Sequence, residues 1–148
     1  MKRAYRWPSF LLAAVLLLPA CSSPASPEAG SPSSQPTGAE KGKLTFAPFS
    51  LTVEVSVQPA PPKILKENEL LIALPPEQAD RWKNAKVSVR LTMPSMDHGA
   101  VDAASSYREP GQFAAKIVPT MVGEWQADIT FEADGKTSTV VYPFVAEP

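Results

Sequence analysis

The stretch FSLTVEVSVQ, residues 49–58, decides the fold, because every second side chain in it is apolar. The apolar positions are Phe49, Leu51, Val53, Val55 and Val57, and polar residues separate them. A period of two is typical of a β-strand that buries one face and leaves the other in water, as antiparallel sheets do. The stretch therefore predicts an antiparallel strand that lies on a hydrophobic core.

The same alternation recurs in AKVSVRLTM, residues 85–93, and in EWQADITFE, residues 124–132. Four weaker strand patterns lie at residues 68–74, 101–107, 112–118 and 137–145. About seven short strands in a domain of this size predict an all-β fold, an immunoglobulin-like antiparallel β-sandwich. No segment has a long helical period, and residues 75–85 predict a helical turn at most.

Turn residues separate these strands where reversals are needed. EPGQ, residues 109–112, has Pro and Gly at the two central positions of a type II turn. ADGK, residues 133–136, contains the Asp-Gly pair that favours a two-residue hairpin. Pro143 lacks a backbone N–H, so the last strand is expected at a sheet edge or at a bulge.

The first residues predict export and lipidation. Three cations, Lys2, Arg3 and Arg6, precede the apolar run FLLAAVLLL at 10–18, which is short for a transmembrane span. The run ends in LPAC, residues 18–21, which resembles a bacterial lipobox, although Pro19 departs from the usual pattern. The alternative is an ordinary signal peptide with a chance cysteine.

Cys21 is the only cysteine of the chain, so the sequence predicts no disulfide within the exported domain. Lipidation would explain this otherwise free extracytoplasmic thiol. Acyl chains on Cys21 would hold the protein at a membrane. We therefore predict an extracytoplasmic lipoprotein of the cell membrane or outer membrane, facing the periplasm or the cell surface.

The sequence divides into three parts. Residues 1–20 are the predicted lipoprotein signal peptide. Residues 21–43 comprise the lipidated cysteine and a tether rich in Ser, Pro, Gly and Ala, without aromatic residues. Such a segment lacks the apolar surface that ordering requires. Residues 44–148 are the predicted β-domain.

Charge and residue types narrow the function classes. The formal net charge is −1 at pH 7 and no basic stripe is present, so we expect no nucleic-acid partner. The chain has a single histidine, His98, and no Gly-rich phosphate loop. Ser95 lies near His98, but no third triad group or oxyanion hole is visible. We expect no enzymatic activity.

The stretch MPSMDHGA, residues 93–100, concentrates the rare soft ligands of the chain. Thioether sulfur binds Cu(I) well, and imidazole binds copper in both oxidation states. Met96 and His98 are two residues apart, so one copper ion can accept both; Met121 would complete the set and Met93 is a possible fourth ligand. Asp97 is a candidate acceptor for the His98 ring N–H.

Each of these residues also has a purely structural interpretation. Met93 is in phase with the apolar face of residues 85–93, and Met121 shares the phase of the strand before it, so both are candidates for core packing. His98 can be an exposed loop histidine, and Asp97 can simply form a turn. Trp125 alternates into the predicted core and is a candidate core aromatic beside the site.

Strand parity predicts where these residues meet. If consecutive strands run antiparallel, residues 93–100 and 119–123 both follow strands that run in one direction. The three mature methionines and His98 would then gather at one end of the domain. The strand at 49–57 runs the same way, which predicts that the tether leaves from the opposite end.

These motifs together resemble the YtkA-like domain family. The resemblance rests on MPSMDHG after an A-x-V-x-V-x-L strand, on a later G-x-F, and on MVGEW at 121–125. ENELLIAL, residues 67–74, is similar to another strand of that family, although Glu67 stands where Gly is usual. Together the motifs cover about residues 50–145.

The resemblance implies a small extracytoplasmic β-sandwich that accompanies copper resistance, metal efflux or cytochrome oxidase assembly. Its pattern marks Met93, Met96, His98, Met121 and Trp125. Two functions therefore stay open. One is a Cu(I)-binding lipoprotein that handles copper or delivers it to a protein partner. The other is a non-catalytic structural or protein-interaction domain, such as an accessory to oxidase assembly or efflux, without a functional metal.

Overall fold

The computed structural model describes residues 41–96 and 99–148, and this part of the chain forms eight strands and one α-helix. The strands are β1 (Gly42–Phe46), β2 (Leu51–Gln58), β3 (Asn68–Ala73), β4 (Lys86–Thr92), β5 (Val101–Arg108), β6 (Gln112–Ile117), β7 (Gly123–Ala133) and β8 (Lys136–Ala146). The helix α1 spans Pro76–Trp82, and a short 3-10 turn spans Ala47–Phe49.

All eight strands belong to one antiparallel sheet with the order β1-β2-β3-β6-β5-β4-β7-β8. β5 serves two neighbours, since residues 101–104 pair with β4 and residues 105–108 pair with β6. The edge strands approach each other at Gly42, where a Cβ would lie 2.9 Å from Cε2 of Tyr142. The sheet is therefore nearly closed, and the all-β antiparallel prediction is confirmed, with eight strands instead of about seven.

The core lies inside this sheet and uses the predicted faces. β2 and β4 alternate between buried and more accessible residues along their whole length, and β7 does so from Trp125 to Glu132. Buried residues include the apolar positions predicted from the alternation, with Ala85 partly buried against them. The period of two thus identified the inward side of each strong strand.

Phe131 of β7 is the centre of an aromatic cluster. Its ring centroid lies 5.0 Å from that of Phe49, 5.3 Å from that of Phe46 and 5.7 Å from that of Trp82. These pairs are tilted or edge-to-face, the geometry that aromatic quadrupoles favour. The Trp82 indole N–H donates to Oε1 of Gln78 at 3.2 Å, so α1 packs its last residue into the core without an unpaired donor.

The predicted turns have the backbone that they require. Asp134 and Gly135 have φ values of 50° and 70°, as a two-residue hairpin between β7 and β8 demands. Gly111 has a φ of 89°, which suits the third residue of a type II turn. Pro143 lies in β8, an edge strand, as predicted.

Three local predictions are wrong. The segment at 75–85 contains a seven-residue helix, because Pro76 starts it at N1 and Trp82 buries its end. Phe49 is buried but belongs to the 3-10 turn, so β2 begins at Leu51. β1, Gly42–Phe46, lies where no strand was predicted.

β1 also reverses the predicted path of the tether. Gly42 pairs with Val55, near the end of β2, and Phe46 pairs with Leu51, at its start. The chain therefore enters the domain from the end where β2 finishes and β3 begins. This is opposite to the end expected from residues 49–57 alone.

The loops at 59–67 and 118–122 lie at that end, and residues 93–96 and 99–100 lie there too, since β4 and β6 both run towards it. We call it the methionine end. The opposite end carries α1 and the turns at 109–111 and 134–135. No helix among residues 41–96 and 99–148 is long and apolar enough to cross a membrane.

Candidate metal-binding loop

The predicted gathering of the methionines at one end of the sheet is confirmed for the backbone. β4 ends at Thr92, directly before Met93, and β6 ends at Ile117, four residues before Met121. The two segments also touch, since a Cβ on Gly123 would lie 3.5 Å from Cε of Met93. Residues 93–96 and 121–123 therefore form neighbouring parts of one surface.

Met93 is a core residue in this arrangement, with only 6% of its surface exposed. It continues the inward face of β4 after Leu91, which is fully buried. A long flexible thioether suits this position, where strand pairing ends and the core boundary is irregular. Its part in a copper site stays a prediction.

Met96 differs from Met93 in its exposure, because 46% of its surface is accessible. Its backbone N–H donates to the carbonyl of Met93 at 3.2 Å, which closes a tight turn over Pro94 and Ser95. The turn reverses the chain after β4 and carries the Met96 side chain away from the core. The loop thus contains one buried methionine and one exposed methionine.

Met121 is partly buried and packs against the core. The indole N–H of Trp125 donates to the Met121 carbonyl at 2.9 Å. Trp125 is itself buried, with 4% of its surface exposed, so this bond holds the backbone of the 121–123 segment from the side of the core. Trp125 therefore acts here as a core aromatic whose polar atom holds the methionine loop.

His98, Asp97 and Cys21 lie outside the described residues, and so does most of the predicted tether. Within residues 41–96 and 99–148, no three His, Cys, Asp or Glu side chains are grouped so that they could hold a metal ion. Such a group would hold a metal through imidazole, thiolate or carboxylate ligands. A site of methionine sulfurs and one imidazole is a different type.

A groove of about 220 Å³ runs beside the loop. Its walls include Pro94, Trp125 and Phe144, together with residues from the paired ends of β7 and β8. The lining is mixed apolar and polar, and it adjoins the turn that carries Met96. The groove therefore places apolar side chains beside the loop, on the side where β8 lies.

The loop at 59–67 is a feature that the sequence analysis missed. Asn68, 1% exposed, accepts from the Lys63 backbone N–H at 2.7 Å and donates to the carbonyls of Lys63 and Lys66 at 2.7 and 2.9 Å. Backbone bonds also join Ile64 and Pro62 to Glu147. A lone Asn at the start of an apolar strand was the available signal.

This loop holds Leu65 in an unusual state. Leu65 has a φ of 54° and 71% of its surface exposed, and its N–H donates to the Pro119 carbonyl at 2.8 Å. The left-handed region costs a bulky residue about 1–2 kcal/mol. A leucine that is both strained and exposed has no packing reason for its position, which makes it a candidate functional residue.

Leu65 is one of several large apolar side chains exposed at the methionine end. Among the described residues, six such side chains are exposed, and all except Val141 of β8 lie at this end. We call these five residues the end patch: Leu65, Met96, Val101, Val118 and Val122. The hydrogen bond from Leu65 to Pro119 joins two of the loops that carry it.

A polar depression on the outer face of β4, β5 and β7 is a weaker candidate site. Arg90 spans it and forms two hydrogen bonds to Asp102, at 2.8 and 3.3 Å. The Arg90 guanidinium lowers the pKa of Asp102 through these bonds, and Asp102 raises the pKa of Arg90 in turn. The two charges are satisfied by each other, and the pair is solvent-exposed.

Comparison with known proteins adds no relative. No protein-family model matches the chain, no curated protein matches it, and no solved structure matches it. The YtkA-like resemblance therefore stays a prediction from the motifs.

Proposed function

We propose that this chain is a membrane-anchored extracytoplasmic lipoprotein that binds Cu(I) through its methionine and histidine loop. Met96, His98 and Met121 are the proposed ligands, with Met93 as a possible fourth. The protein would buffer copper or deliver it to a partner protein, and it would catalyse no reaction. Cys21 would carry the lipid.

The exposure of Met96 is the observation that carries the proposal. Two residues before the only histidine of the chain, Met96 has 46% of its surface exposed, while Met93 three residues earlier is buried. An accessible soft ligand beside an imidazole is what a Cu(I) site needs.

The neighbouring segment supplies further support. Met121 lies two residues before Gly123, which approaches Met93, and the Trp125 indole N–H donates to the Met121 carbonyl at 2.9 Å. Part of the ligand set would thus be held before copper arrives. A held backbone lowers the entropy that binding must overcome.

Methionine ligands also suit an extracytoplasmic site chemically. A thioether binds metal without losing a proton, whereas imidazole must be neutral to bind. A mixed site therefore keeps copper at lower pH than a site made of histidines alone.

The test is a Cu(I) competition titration under reducing conditions, on a soluble form that begins at Ser22. The parent is compared with Met96→Leu and His98→Asn, which remove one ligand atom each. We expect one equivalent of Cu(I) in the parent and at least a tenfold loss of affinity in each variant, since each bond removed contributes more than about 1.4 kcal/mol.

Val141→Leu is the matched control, because Val141 is similarly exposed, at 47%, but lies in β8 away from the loop. It should bind Cu(I) as the parent does. Absence of tight binding in the parent would refute the copper proposal and would leave the loop as part of a non-catalytic interaction domain.

A further inference from the structure

The end patch has a backbone that is built to present it. Leu65 projects from a loop that is tied to Asn68, to Pro119 and to Glu147. Its φ of 54° is one that leucine rarely adopts, and yet 71% of the residue faces solvent. Strain of this kind persists where the surrounding structure imposes it, and it clusters at functional contacts.

The path of the chain indicates what meets this patch. β1 enters the domain from the methionine end, and the Lys41 ammonium at its start lies 2.8 Å from a Glu54 carboxylate oxygen. Nineteen residues, 22–40, separate Cys21 from Lys41. The chain that follows the proposed anchor therefore enters the domain at the end that carries the patch.

We propose that the end patch docks onto the lipid bilayer that holds the anchor. The inference rests on the lipid anchorage proposed above, but not on copper binding. The tether would raise the effective concentration of the domain at the surface, so even a small apolar contact would be populated. The copper loop would then face the membrane.

Two lysines near the patch have partners within the protein, which favours docking through apolar side chains. The Lys63 ammonium donates to the terminal Pro148 oxygen at 2.9 Å, and the Lys116 ammonium lies 2.9 Å from a Glu67 carboxylate oxygen. Glu67 thus pairs with the Lys116 charge, and the proposed contact is made by the aliphatic side chains of the patch. Docking by the aliphatic side chains should therefore resist salt, whereas a basic patch would be released by it.

The experiment uses the full lipidated chain, reconstituted in vesicles of phosphatidylethanolamine and phosphatidylglycerol. Because Cys21 is the only natural cysteine, Val118→Cys and Val141→Cys each give one site for a nitroxide label. The two valines are comparably exposed, at 41% and 47%, but only Val118 belongs to the patch. Collisions of the label with oxygen and with a polar nickel complex distinguish lipid from water.

We expect the label at 118 to report lipid and the label at 141 to report water, with no change in 0.5 M NaCl. Leu65→Asn should move the 118 label into water. Asn tolerates a positive φ, so this variant should fold and its urea midpoint should equal or exceed that of the parent. A gain of stability with a loss of docking is not expected from a purely structural leucine.

Flotation of the vesicles separates the possible failures. Protein that floats while both labels report water would overturn the docking and keep the anchor, and lipid signals at both sites would overturn the assigned face. Spin–spin broadening at 118 would assign the patch to a second copy instead. Protein that does not float would overturn the anchor and the docking together, without bearing on copper.

Discussion

Asn68 is the residue whose removal should reveal how the methionine end is held. It is buried and makes three hydrogen bonds, of 2.7, 2.7 and 2.9 Å, to the backbone of Lys63 and Lys66. Asn68→Ala removes all three and leaves one N–H and two carbonyls without their partner. At about 1 kcal/mol net for each bond, the free energy of unfolding should fall by about 3 kcal/mol.

Urea unfolding, followed by tryptophan fluorescence, measures this loss. Asn84→Ala is the matched control, because Asn84 is exposed after α1, and it should change stability by less than about 0.5 kcal/mol. The denaturant slope should stay the same in both variants. A loss below about 1 kcal/mol in Asn68→Ala would refute the role assigned to this side chain.

Three further changes test other parts of the structure. Phe131→Ala removes the centre of the aromatic cluster and should cost about 3–5 kcal/mol in the same unfolding assay. Gly42→Val brings a Cβ to 2.9 Å from the Tyr142 ring and should destabilise the contact between β1 and β8 by about 1–3 kcal/mol. The loss should be seen as faster amide exchange in β1. Unchanged exchange would contradict the close approach of Gly42 to Tyr142. Met93→Leu should cost less than about 1.5 kcal/mol and should lower Cu(I) affinity less than Met96→Leu does; the reverse order would contradict the assignment of Met93 to the core.

The strong strands were predictable because each has one buried face and one wet face. In β2, β4 and β7 the apolar positions alternate without a break, so period alone gave their inward residues. The Asp-Gly hairpin was equally clear, since few residues tolerate two consecutive positive φ values. These signals are local, and local signals can be read from one sequence.

The features that failed are those set by tertiary contacts. β1 contains Gly42 and Lys43, and it is a strand because it pairs with β2 and closes against β8. α1 is short, and its burial of Trp82 against Phe49 and Phe131 stabilises it. Because β1 was not predicted, the tether was placed at the wrong end of the domain. Each additional antiparallel strand reverses the end from which the preceding chain enters.

The candidate site was predictable in part for the same reason. The alternating directions of the strands predicted that the segments of Met93, Met96 and Met121 lie at one end. This prediction depends only on the strands after residue 84. The loop of Leu65 was not foreseen, because its geometry depends on Asn68 and on the distant residues Pro119 and Glu147.

X-ray absorption at the copper edge, on the Cu(I)-loaded protein, tests the central claim most directly, because it identifies the atoms bound to the metal. We expect both sulfur and nitrogen atoms to be bound to the copper ion. Met96→Leu should lose sulfur and keep nitrogen, and His98→Asn should lose nitrogen and keep sulfur. A copper ion surrounded only by nitrogen and oxygen in the parent would contradict a methionine and histidine site.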